Sequence, residues 1–182
     1  MAILNTMFSS QGVSASSAGS TTTLYIDKDD DNYGIGEGLT FHADAVDNIA
    51  IGENALNSTS GAALKNIAIG TDALTTLTDG DQNVAIGHQA LDAATTNLGC
   101  VAIGYNALGA ADDGMSYNFA LGYGAMGSMN GNPLSLGNVA VGSSAMGTAT
   151  TGVMSGNVAI GDNALDGTLD NPHTGSTAIG YN

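Results

Sequence analysis

The chain has 182 residues, with 27 glycines, two prolines, one cysteine and no tryptophan. Two basic residues against 17 acids give a net charge of -15, and charged residues make up only 10% of the chain. A polyanion of this kind gains nothing from counterion release, so nucleic-acid binding and attachment to anionic membranes are excluded as expectations.

Residues 1–23 are rich in Ser, Gly, Thr and Ala and read as an extended attachment arm. Met1, Ile3, Leu4, Met7 and Phe8 form its apolar cluster, the densest outside the repeats. The run lacks a basic n-region and stops at Leu4, so it is not a secretory signal, and no stretch reaches the apolar length of a membrane span. Residues 24–47 follow as a strand, an acidic turn and a capping coil. Thr22 to Ile26 has strand character, and Asn32 to Leu39 looks like a worn copy of the motif that dominates the rest of the chain.

In the acidic turn, Asp27, Asp29 and Asp31 alternate as in calcium loops, and Glu37 falls one residue short of the usual bidentate position. Without flanking helices the favoured reading is a solvated turn, with calcium as the sharper alternative. No other cofactor is expected.

From residue 48 to residue 182 one phrase recurs eight times: Asn-Val/Ile-Ala-Ile-Gly-x-x-Ala-Leu, then a variable linker. Its glycines are Gly52, Gly70, Gly87, Gly104, Gly122, Gly142, Gly161 and Gly180, a period of 17 to 20 residues. So short a period marks a stack of supersecondary units, none able to bury its apolar face alone. The expected fold is an all-β parallel β-roll or β-solenoid of about eight coils, on the order of 40 Å long at a strand spacing of ~4.8 Å.

Alternation on the strand separates a large slot (Val84 and Ile86, for example) from an alanine slot (Ala85). The large slot is expected to fill the coil interior, and the alanine slot to face another chain closely. The first Asn, at Asn48, Asn66, Asn83, Asn118, Asn138 and Asn157, is placed to form amide ladders between coils. Cys100 stands in that slot in one copy and is read as a small residue tolerated in a turn.

Catalysis needs converging groups, and none is found. His42, His88 and His173 fall at unrelated places in their copies and read as solvated loop residues. No enzyme activity and no catalytic, cofactor-binding or metal site is expected. Tyr105, Tyr123 and Tyr181 follow repeat glycines; stacking surface for a glycan is one reading, edge packing the favoured one.

Copies such as Asn83-Val84-Ala85-Ile86-Gly87 and Asn157-Val158-Ala159-Ile160-Gly161 resemble the head repeats of trimeric autotransporter adhesins. The longer form with Ala-Leu is also similar to repeats of bacteriophage tail-fibre and other virion-fibre proteins. The resemblance implies a left-handed parallel β-roll and a homotrimer. An adhesin is expected to bring an export signal and a C-terminal membrane barrel, and the absence of both here favours the phage branch.

On that branch the chain is a tail fibre of the virion, assembled in the host cytoplasm. Its arm attaches to other virion proteins and its rod projects toward the host. The array breaks off at Tyr181-Asn182, and a host receptor or glycan is expected to meet a tip beyond it. A bacterial cell-surface adhesin and a capsid-attached decoration fibre are the alternatives.

Overall fold

A computed structural model describes residues 13–14, 23–27, 30–39, 41, 44–57, 61–111, 114–129, 135–148, 152–167 and 173–181. Among them there are strands and turns and no helix. The strands are β1 (Val13–Ser14), β2 (Thr23–Asp27), β3 (Asn32–Gly36), β4 (Ile49–Ile51), β5 (Ile67–Ile69), β6 (Val84–Ile86) and β7 (Val101–Ile103). They continue as β8 (Phe119–Leu121), β9 (Val139–Val141), β10 (Met154–Ser155), β11 (Val158–Ile160), β12 (His173–Thr174) and β13 (Thr177–Ile179).

Each repeat contributes one three-residue strand, and consecutive repeats pair in parallel with no slip. Val84 lies beside Val101, Ala85 beside Ala102 and Ile86 beside Ile103, and the same register holds from β4 to β13. A parallel pair needs the chain to travel round before it returns. Here the return is one coil of the repeat, and the eight repeat strands joined by seven turns make a β-solenoid. At its N-terminal end β3 pairs in parallel with β4, while β2 runs antiparallel to β3, and β1 to β2. β10 and β12 form a second, two-stranded parallel sheet.

The two faces of the strands are the reverse of the sequence expectation. Ala50, Ala68, Ala85, Ala102, Ala120, Ala140 and Ala159 are all 0% exposed and form the inner wall. The large residues on either side of them point outward: Ile49 is 38% and Ile179 74% exposed. The physical cause is the width of the coil. Its interior is filled from the other walls by Leu56, Leu74, Leu91, Leu108, Met126 and Met146, together with Leu77, Met115, Met129 and Met154. Opposite such side chains a strand has room only for a methyl group, because interiors are packed to crystal density.

Two corners explain the rest of the motif. At the repeat glycine φ lies near +135°, and a Cβ on Gly87 would come within 2.6 Å of the carbonyl carbon of Gly104 in the next coil. Only glycine meets both demands. Four residues later the Leu of Ala-Leu takes a left-handed conformation, φ 54° at Leu91 and 51° at Leu108, with Met126 and Met146 at 52°. A β-branched residue is a severe outlier there. This accounts for Leu and Met in that slot and for the absence of Ile and Val from it.

Candidate functional site

The interior holds an amide ladder. Asn66 donates from its main-chain N and its Nδ2 to Asn48 Oδ1 (2.9 and 3.2 Å), and its Nδ2 also donates to the Gly80 carbonyl (2.9 Å). Asn83 repeats the pattern on Asn66, Asn138 on Asn118 and Asn157 on Asn138. Asn48 makes the same contacts with Asn32, which belongs to β3. Every rung is buried, so each amide is held where water cannot compete for its bonds.

Cys100 interrupts the ladder. Its N–H still donates to Asn83 Oδ1 (2.9 Å), but its thiol turns to the Met115 carbonyl (3.2 Å) and offers Asn118 no amide oxygen. The residue is fully buried in a rung, where its small side chain fits. Burial pushes its thiol up to about 11, against the pull of the Asn118 and Tyr117 N–H groups.

A second irregularity is Asn97. Its backbone carbonyl accepts from Asn83 Nδ2 (2.7 Å), yet its own buried Nδ2 and Oδ1 have no partner. At Asp92, burial raises the carboxyl pKa, the Asp72 charge raises it further, and the main-chain N–H groups of Asp92 and Ala93 work against both.

Outside, two features stand out. The strand residues on either side of the alanines form two apolar columns along the sheet. At its N-terminal end Leu24, Ile26, Tyr33, Ile35, Ile49 and Ile51 line an apolar hollow of about 150 Å³. The residue after the repeat glycine makes a third column: Glu53, Thr71, His88, Tyr105, Tyr123, Ser143, Asp162 and Tyr181. His88 and Tyr105 stack at 5.3 Å between centroids and 3° between planes, and Tyr105 and Tyr123 at 5.0 Å and 7°.

The structure therefore brings His88, Tyr105 and Tyr123 together, a meeting the sequence reading missed for His88. The signal was its position directly after Gly87, the same slot as the two tyrosines. His173 lies on β12, where its carbonyl accepts from Asn157 Nδ2, and Tyr181 is exposed. His42, Asp29 and the apolar cluster Met1, Ile3, Leu4, Met7 and Phe8 lie outside the described residues. In the acidic turn Asp27 pairs with Asn32 across the β2–β3 hairpin, and Asp31 is left-handed with φ 53°. Among the described residues no group of three His, Cys, Asp or Glu side chains is placed to hold a metal ion. Among them, too, no helix is long and apolar enough to cross a membrane.

No family model, no curated protein and no solved structure matches the chain.

Proposed function

We propose that the chain is the structural rod of a fibre, built from several copies of itself and carried on a phage virion as a tail fibre. The observation that supports this most is the outer face of the sheet. From Tyr33 and Ile35 to Ile160 the two columns contain Ile, Val, Leu, Phe and Tyr and no charged residue. Each half-exposed side chain gains about 25 cal/mol for every Å² removed from water, and a contiguous apolar strip is the usual mark of an association surface.

A second copy is the occupant that fits. It presents the same columns at the same coil spacing, so ridges of one meet hollows of another over many coils. It also brings no charge into the contact, which matters for a chain at -15. Closed rings of such copies bury the strip completely, and three chains is the number that the resemblance to trimeric adhesin heads implies. The alanine face, expected at first to make this contact, is already used inside the coil.

The phage assignment rests on the repeat's likeness to virion-fibre repeats, with residues 1–23 as the segment that docks on the particle. Its apolar cluster followed by small residues suits ordering on a groove of a virion protein.

Sedimentation analysis at micromolar concentration tests the association. The wild type is expected as a trimer, and the double variant Ile86→Asp, Ile103→Asp as a monomer with an unchanged far-ultraviolet spectrum, since both side chains point outward. A wild-type monomer overturns the association. Antibodies against the repeat array should label purified phage particles, and deletion of residues 1–20 should abolish the label while the free rod stays associated. Labelling of bacterial surfaces instead assigns the chain to the adhesin reading.

A further inference from the structure

The aromatic column of His88, Tyr105 and Tyr123 is held at the coil spacing by the parallel register of the solenoid. Tyr105 has a ring on each side. Tyr123 has one on only one side, because the next coil carries Ser143 in the same slot. The exposures agree: Tyr123 is 63% exposed and Tyr105 46%.

The neighbouring slot is also cleared at this coil. Gly124 stands where other copies carry Asn106, Gln89 or Ser144, and a Cβ built on it would meet only the Ser144 Oγ, at 3.8 Å. A ring stacked on the open face of Tyr123 would thus lie at the height of Ser143, flanked by hydroxyl groups, with the Asp162 carboxylate one coil further on.

A flat apolar face rimmed by a hydroxyl and a carboxylate matches one ligand chemistry. A pyranose presents C–H bonds on its face and hydroxyl groups around its edge, so it stacks and hydrogen-bonds at the same time. Nucleobases also stack, but they bring phosphates, which a chain with a net charge of -15 repels. The same repulsion removes sialylated and other acidic sugars. We propose that the open face of Tyr123 is a binding site for a neutral pyranose ring of a glycan. The site belongs to the side of the rod and stands whether or not the fibre reading does.

Saturation-transfer nuclear magnetic resonance tests it, with the full chain and the methyl glycosides of glucose, galactose, mannose and N-acetylglucosamine as probes. At least one should receive saturation on its ring C–H protons. The signal should fall about fivefold or more in Tyr123→Ser, which removes the platform. It should fall equally in Ser143→Leu, whose aliphatic side chain covers the open face, offers no ring of its own and keeps the column intact. Tyr117→Ser, at an exposed tyrosine on a different corner, should leave it unchanged. Sedimentation of each variant separates this site from contact between chains. Transfer to none of the four sugars overturns the proposal, as does equal transfer in wild type and both column variants. Loss of transfer together with loss of association also overturns it, by assigning the column to the surface between copies.

Discussion

Ala85 and Ile86 are neighbours on β6, yet they live under opposite rules. Ala85 is sealed between Ala68 and Ala102 with no exposed surface, whereas Ile86 stands half-buried on the outer face beside Ile69 and Ile103. The inner column admits one size of side chain. The outer column admits many, from Val139 through Phe119 to Tyr33, and even Thr177 at the last strand. Tolerance of size marks the face with free space, and uniformity marks the face without it.

The sharpest way to break that distinction is to enlarge the inner residue. Ala85→Leu forces three heavy atoms into a wall already in contact with the coil's Leu and Met side chains. It should lower stability by about 3 kcal/mol or more, read as a fall in the urea midpoint of the far-ultraviolet signal. Ile86→Val, one position on and facing out, should cost less than about 1.5 kcal/mol. A larger loss in Ile86→Val than in Ala85→Leu would mean that the faces are assigned the wrong way round. Because repeats couple mainly to their neighbours, the Ala85→Leu transition should also broaden as coils on the two sides of the defect unfold separately.

This distinction was half legible in the sequence. The period, the parallel stacking, the amide ladder and the demand for glycine all follow from residues that recur at one position of every copy. Alternation also separates two faces, but periodicity carries no sign: it cannot say which of the two is inside. The assumption that large apolar residues go inside fails here because the coil is too thin to hold large residues from both walls. Invariance of Ala, with variation between Ile, Phe and Tyr beside it, was the available clue. The left-handed Leu and Met were legible in principle too, as a slot that never takes Ile or Val. The stack of His88 on Tyr105 follows from its place after Gly87 in the repeat, a position that ligand spacing between histidines does not reveal.

The inner wall makes a second demand, on polar groups, and Cys100 tests it. Below pH 9 the thiol is neutral in both folded and unfolded chains. Folding raises its pKa from 9.0 to about 11, so its contribution to stability is full below 9.0 and is lost as pH rises through the folded value. That rise in pKa corresponds to a loss of about 2–3 kcal/mol across the window. Cys100→Asn should abolish this pH dependence relative to wild type. It should add about 1 kcal/mol at neutral pH by giving Asn118 the amide oxygen that every other rung supplies. Denaturant titrations at pH 7, 9 and 11 measure both effects. A variant less stable than wild type at neutral pH would mean that the coil here has adapted its spacing to sulfur and no longer fits an amide.

Asn97 is the one described residue whose buried side-chain polar atoms break the rule that interior polar groups are paired. Buried coils fill its slot mostly with small or apolar residues, Ala63 and Gly80 before it and Met115, Ser135 and Met154 after it, and the part-buried His173 stands there in the last coil. Its main-chain carbonyl, which Asn83 needs, does not depend on the side chain. Asn97→Leu keeps nearly the same shape and removes an unpaired donor and acceptor. It should therefore raise stability by about 1–2 kcal/mol, the cost of leaving such groups dry. The gain should appear as a higher urea midpoint at every pH, which distinguishes it from the titrating effect at Cys100. Neither change touches the outer columns, so both variants should associate as the wild type does. A change in association with either one would mean that the two faces of the wall are mechanically coupled, and that the outer surface depends on how the interior is packed.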